Sequence, residues 1–369
     1  MIRASENQGP PLARLDWLLI AAAVAVACAG WAALRGGAEG NAVLLVAAQR
    51  QLLWLGLGGL VILLVQFFDY QKIARFTPLF YVLNLSALVA VLVLGSRIKG
   101  SRAWFDLGPF SFQPSETMKV VVAMALAQWF ALRPEGQSSL RDLIVPAAIV
   151  GAPVALVLAQ PDLGTALVFA AMFMGMLFWS GVPRKILIGM IASVLIVGAA
   201  GFPFMKAYQR DRILVFVNPE RDPKGAGYNV IQSKVAVGAG GLTGAGWKKG
   251  TQTTLRFLPE HHNDFIFASF AEQFGLLGVC FILAGYGMIA TRIVAGITEA
   301  RDRFGSLLVA GLGTVFLTHA LFNMSMILGM VPVTGLPLPL MSYGGSFMLT
   351  TCLSLGLIIN VGSRKYLFA

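Results

Sequence analysis

Apolar stretches of about 20 residues recur along this chain, and no other feature of the sequence limits its fold so strongly. A helix of about that length crosses a bilayer core of ~30 Å, and repeated runs of this kind mean transmembrane helices. Ten such stretches are read at roughly 17–34, 50–67, 76–95, 115–132, 142–159, 163–181, 186–204, 265–291, 304–328 and 346–362. The expectation is an all-α, polytopic membrane protein: one integral domain over residues 1–369 with about ten transmembrane helices. Composition agrees, since 12% of residues are charged, against about 25% in a soluble domain. Ala- and Gly-rich residues near Cys28 imitate a signal-peptidase site, but so many later spans argue for an uncleaved first helix.

Orientation follows from the basic residues of the short loops. With the N-terminus inside, the inner segments carry thirteen Lys and Arg and the short outer segments five. Both termini are therefore expected on the cytoplasmic side of a bacterial inner membrane. The segment 205–264 becomes one large extracytoplasmic loop. It is too short for a separate domain and too long for a tight turn, and its Val215-Phe216-Val217, Ile231, Val235, Trp247 and Phe257 predict partial order.

The net charge of +11 is what topology and lipid headgroups ask of such loops, and no nucleic-acid partner is expected. Cys28, Cys280 and Cys352 lie in apolar runs and read as buried hydrophobes, not as a disulfide framework or a metal site. There is neither a phosphate-binding GxxxxGK[ST] loop nor an Asp-x-Asp pair, so any driving energy must arrive in the substrate.

Against this oily background, four groups of polar residues sit at outer helix ends. Pro114 starts a helix on which Glu116 and Lys119 share a face and can pair, either as a structural ion pair or around an anionic headgroup. Asp162, after Gln160-Pro161, can cap the following helix or orient Lys119 or an arginine. Residues 331–346, with three prolines and three glycines, cannot form a regular helix; irregular backbone at that depth must line a cavity or be buried in protein. Finally, Arg256–Phe267 gathers Glu260, His261, His262 and Asp264 at the mouth of a long apolar run, where ionisable groups mark function by default. Zinc is not expected, because adjacent loop histidines rarely share an ion and no third nitrogen or sulfur ligand is in sight.

Together these motifs resemble the SEDS family (shape, elongation, division, sporulation) over essentially the whole chain. The resemblance rests on Trp104, Gln113-Pro114-Ser115-Glu116, Pro161-Asp162-Leu163-Gly164-Thr165, Pro259-Glu260-His261 with Asp264-Phe265-Ile266-Phe267, and Gly335-Leu336-Pro337 with Ser342-Tyr343-Gly344-Gly345. The motif Asn218-Pro219-x-Arg221-Asp222-Pro223 and Gly244-x-Gly246-Trp247 resemble the elongation branch more than the division branch. The chain departs from the family pattern at Ala103, Asn263 and Gln273.

The resemblance implies a peptidoglycan glycosyltransferase that polymerises lipid II during elongation and works beside a class B penicillin-binding protein. It makes Asp264 the catalytic base, and a like charge at Glu260 would raise its pKa, as suits a base. Lys119, Arg210 and Arg212 are candidates to hold pyrophosphate, which a divalent cation, Mg2+ or Mn2+, could share. Trp104 could stack on a sugar. The competing readings are a lipid II flippase, which broken helices also suit, and a non-catalytic scaffold for the partner synthase.

Overall fold

The computed structural model describes residues 15–38, 40–98, 101–108, 110–133, 139–204, 207–222, 225–250 and 263–364. Thirteen α-helices lie among them: α1 (Trp17–Gly36), α2 (Ala42–Gln66), α3 (Tyr70–Ala74), α4 (Thr77–Leu94), α5 (Pro114–Ala131), α6 (Ile144–Ala159), α7 (Leu163–Trp179), α8 (Arg184–Gly201), α9 (Ala207–Val217), α10 (Ala226–Ala239), α11 (Ile266–Thr298), α12 (Arg303–Ile327) and α13 (Gly345–Ser363). All ten expected spans are helical. Seven of the helical segments are long and apolar enough to cross a membrane, and α7 is apolar but shorter. The all-α polytopic architecture therefore stands.

Two boundaries differ from expectation, the first for an identifiable reason. The expected second span starts at residue 50. In the fold α2 starts at Ala42, because the Asn41 side chain caps the N–H groups of Val43 and Leu44. The helix runs through Gln51, which is buried and donates to the Ser342 carbonyl at 3.2 Å. The end of α11 lies near residue 298, beyond the expected 291.

The centre of the bundle is α5, α12 and α13, buried along most of their length. Around it α2 lies on α13, α1 on α11, and α7 on α12. Small residues permit close approach between such helices: a Cβ at Gly175 would meet the Thr314 side chain at 2.4 Å, and one at Gly58 would meet Cys352 Sγ at 2.5 Å.

The helix α11 is two helices merged across a kink. Gly275 has φ 63°, a conformation that costs a glycine little. The backbone groups released there are paired by the long loop: Leu276 and Leu277 donate to Gly241 and Leu242 carbonyls at 2.9 and 3.1 Å, and Ala245 donates to Glu272 O at 2.9 Å. A broken helix inside a membrane protein needs such repair. The described part of the segment 205–264 is thus packed onto the bundle. It contains α9 and α10, and Ser233 on α10 donates to the Ile327 carbonyl at the end of α12. A short antiparallel sheet, β1 (Ser96–Ile98), β2 (Ser101–Asp106) and β3 (Ser111–Phe112), leads into α5.

Candidate active site

Pro114 occupies the first turn of α5, where its missing N–H costs nothing. One turn on, Lys119 Nζ lies 2.9 Å from Glu116, as their spacing predicts, and also 2.9 Å from His319 Nε2 on α12. All three side chains are buried. An ammonium can only donate, so Nε2 accepts, and Nδ1 carries the proton toward the Pro337 carbonyl, 3.3 Å away. The Phe347 ring, 5.6 Å from Nζ, covers the same group. Glu116 and Lys119 line a cavity of about 20 Å³, room for roughly one water.

Asp264 lies two residues before α11 and is held through its backbone. Asn323 Nδ2 donates to the carbonyls of Asp264 and Leu336 at 2.7 and 2.8 Å. Ser342 Oγ donates to Asn263 O at 2.7 Å and accepts from Leu338 N at 2.8 Å. Of the irregular segment expected at 331–346, residues 331–344 are non-helical and fold around this point, and the last two open α13. Gly335, at φ 70°, faces the carboxylate: a Cβ there would sit 3.5 Å from Asp264 Oδ2. A Cβ at Gly164 would strike the Thr334 carbonyl at 2.6 Å, so α7 abuts the same segment. His319 and Asn323 are one turn apart, which brings the ion pair and Asp264 to α12 levels separated by about 6 Å.

Several side-chain polar atoms at this end of the bundle are buried and have no hydrogen-bond partner among the described residues. They include Gln160 Oε1 and Nε2, Asn263 Oδ1, Asn323 Oδ1, Thr334 Oγ1 and Ser115 Oγ. Buried groups of this kind are rare in native proteins and call for an explanation. They offer both donors and acceptors, as a polyhydroxylated ligand requires.

The other expected residues divide. Asp162 caps α7: its two oxygens take the Thr165 N–H at 2.9 Å and hydroxyl at 2.8 Å. This is the capping alternative, and it accounts for both oxygens. Trp104 lies half-buried on β2, its backbone tied to Ser96. Arg210 is exposed on α9, whereas Arg212 lines a cleft against α10. Phe257, Glu260, His261 and His262 lie outside the described residues. Among the described residues no three His, Cys, Asp or Glu gather as metal ligands. A Mg2+ or Mn2+ ion held chiefly by substrate phosphates needs only one or two protein carboxylates, and Asp264 is the residue that would supply one.

Sequence reading missed His319 and Asn323. The available signal was a histidine and an asparagine four apart in a 25-residue apolar helix, hence on one face. It also had no account of Gln273. This amide donates to Ala33 O at 3.1 Å and to Ser269, which an ionised acid at that position could not do.

Fold and site define a class: a polytopic helical membrane protein whose polar groups converge on one carboxylate at one end of the bundle. A family model described as the FtsW, RodA and SpoVE cell cycle proteins matches residues 14–367, and the chain belongs to that family. The peptidoglycan glycosyltransferase MrdB of Escherichia coli K12 is 37% identical over 309 residues, 83% of each chain. The peptidoglycan glycosyltransferase RodA of Treponema pallidum is 27% identical over 86% of this chain and 89% of its own. Among solved structures, a chain from work described as "Structural coordination of polymerization and crosslinking by a peptidoglycan synthase complex" superposes with TM-score 0.82 at 34% identity, covering 95% of this chain and 98% of that one. The rod shape determining protein RodA of Thermus thermophilus gives 0.71 at 30% identity, with the same coverage.

Proposed function

We infer that this chain is a peptidoglycan glycosyltransferase that joins lipid II units into glycan strands during cell elongation. The family membership and the glycosyltransferase relatives support the activity. The observation that carries the assignment to a site is Asp264, fixed by its backbone among unpaired buried polar groups.

The reaction is a one-step inversion. The acceptor sugar's 4-hydroxyl attacks the donor's anomeric carbon, forming the new C–O bond. The bond from that carbon to the pyrophosphate oxygen breaks, and undecaprenyl pyrophosphate leaves with the electron pair. Asp264 takes the hydroxyl proton; a single displacement needs no second carboxylate as nucleophile. The anchored backbone on both sides of Asp264 fixes the base, which matters because misplacement of about 1 Å can cost 10²-fold. Buried amides and hydroxyls of Gln160, Asn323 and Thr334 are available to the sugars. Cations near this end hold the pyrophosphate.

The site lies on the outer side of the inner membrane with both termini cytoplasmic, in keeping with the distribution of basic residues. The partner is a class B penicillin-binding protein that cross-links the strands, a reading supported by the similar synthase-complex chain. The loop 205–264 repairs α11 and carries Asp264 at its end, so a partner that selects one loop conformation raises the competent fraction. The test is purified protein with lipid II, with and without partner, assayed for glycan chains. Absence of chains in both arms would defeat the polymerase reading. Activity flat in partner, across a range in which the complex forms, would defeat the activation.

A further inference from the structure

An open cavity of about 420 Å³ lies between the end of α2, the short α3, the start of α4 and the end of α13. Helix α13 starts close to Ser342, which holds the Asp264 site, and ends at this cavity; its 19 residues put about 28 Å between the two. The space beside Lys119 is about 20 Å³ by comparison. Ligand sites run to roughly 300–1,000 Å³, so the cavity has room for a headgroup. Two cations line it, Lys72 from α3 and Arg364 from the end of α13. The Arg364 guanidinium is held in place: Nε donates to Asn360 Oδ1 at 3.3 Å, and Nη2 to the Gln66 and Phe68 carbonyls at 3.2 and 3.1 Å. Its Nη1 makes no hydrogen bond among the described residues. Asp69 Oδ2 stands 3.7 Å away, while Oδ1 caps α3 by accepting from Gln71 N. Lys72 is exposed and has no acidic partner among the described residues. One carboxylate against two cations leaves the lining net positive.

The rest of the wall is apolar and aromatic. It carries Phe67, Phe68, Phe76 and Phe80, of which the first three are 80, 60 and 56% exposed. Both α2 and α4 are long and apolar enough to cross a bilayer, and the cavity sits where the chain turns from one to the other. That is the depth at which headgroups meet acyl chains. The usual aromatic anchors there are Trp and Tyr, whose polar edges face the headgroups. Phenylalanine offers apolar surface alone, which suits contact with hydrocarbon. A fixed guanidinium and a free ammonium beside it suit a phosphate, the first through directed N–H groups and the second as a point charge.

We propose that Lys72 and Arg364 seat the phosphate of a diacyl anionic phospholipid, such as phosphatidylglycerol, with its acyl chains on the four phenylalanines. The surrounding bilayer supplies it. The bound lipid ties the turn between α2 and α4 to the end of α13, with one cation on each side of the phosphate. The site is separate from Asp264 and does not rest on the polymerase reading. Any basic membrane edge attracts anionic lipid to some degree, so the test separates a built seat from that general attraction.

The purified full chain in detergent is titrated with dioleoyl phosphatidylglycerol, dioleoyl phosphatidylcholine and glycerol 3-phosphate. Bound copies are counted by native mass spectrometry, and melting temperatures are measured in parallel. Phosphatidylglycerol is expected to bind most tightly and to raise the melting temperature. Lys72→Gln should weaken its binding about ten-fold, as loss of one charged hydrogen bond does, and remove most of the lipid-induced rise; Lys72→Arg should restore both. Phe76→Ala should also weaken binding. Arg364 is left intact in every variant, because it also closes α13 on α2. The control is Arg75→Gln, since Arg75 is a nearby exposed cation that does not line the cavity. Equal losses in Lys72→Gln and Arg75→Gln would overturn the site in favour of general attraction to a basic edge. Phosphatidylcholine bound as tightly as phosphatidylglycerol would overturn the anionic class. Glycerol 3-phosphate bound as tightly as phosphatidylglycerol would overturn the phospholipid and leave a small-anion site.

Discussion

The two ends of the bundle use charged groups in different ways. At the basic end, charged side chains are spent on closing the fold. Arg303 donates to the carbonyls of Arg133 and Ser180, at the ends of α5 and α7. Arg364 donates to Gln66 and Phe68 carbonyls and lies 3.7 Å from Asp69. Arg292 meets Asp16 at 2.7 Å, and Tyr70 donates to Asp302, which also caps α12. At the Asp264 end, side chains such as Asn323 and Ser342 hold backbone in position, yet buried oxygens and nitrogens nearby stay unpaired. The ends differ in what their charged groups do, not in whether buried polar atoms are left over: Gln66 Oε1, Thr77 Oγ1 and Trp129 Nε1 are buried without a hydrogen-bond partner at the basic end as well. This asymmetry also bears on the flippase reading: transport needs a polar path to both faces, and the basic end is clasped by its own arginines.

If the comparison is right, substitutions at the two ends should separate activity from stability. The largest effect expected is from Asp264→Asn, nearly isosteric but no longer a base. It should cut glycan synthesis by roughly 10²–10⁴-fold and leave the melting temperature unchanged. Wild-type turnover by this variant would remove Asp264 from catalysis.

Lys119→Met comes next and tests a group that belongs to neither pattern cleanly. It leaves Glu116 buried without its cation, a loss of about 3–5 kcal/mol when one member of a buried pair is removed. The expected readout is a lower melting temperature, largely recovered in Lys119→Met/Glu116→Gln. A stable single variant with weakened lipid II binding would instead make Lys119 a headgroup ligand.

Arg303→Ala should cost about 2 kcal/mol through its charged hydrogen bonds, with glycan synthesis per folded molecule unchanged. A selective fall in turnover would show that the two ends are coupled. Asn323→Ala acts at the other end and frees the backbone of Asp264. A fall of about ten-fold in turnover is expected, because small displacements of reacting groups are costly. Unchanged turnover would show that Ser342 suffices.

The smallest effect expected is Tyr70→Phe. Burial chiefly, and then the bond to Asp302, raise the Tyr70 pKa above its ordinary value of 10.0. A group with a raised folded pKa contributes stability that is full below its unfolded value, near 10, and is lost as pH rises through the folded one. The variant should therefore lose about 1 kcal/mol at neutral pH, and its deficit against wild type should shrink only above pH 10. A deficit that changed between pH 6 and 8 would refute this account.

The sequence by itself determined the all-helical membrane architecture, because apolar runs of bilayer length leave the backbone few other ways to satisfy itself. It also marked out Asp264, the irregular segment at 331–346, whose last two residues proved helical, and the Glu116–Lys119 pair, each visible as polarity or proline out of place, or as a one-turn spacing. What it could not decide was which long-range neighbours those groups meet. His319, some 200 residues from Lys119, completes the buried trio; Asn323 reaches Asp264 across 59 residues; Asp162 turned inward to its own helix at Thr165. The break at Gly275 was hidden for the same reason. A glycine in an apolar run looks like any other until loop backbone arrives to pair the groups that the kink releases. Local chemistry can be read from neighbours in the chain, but the sharing of hydrogen bonds between distant segments is fixed only when the helices pack.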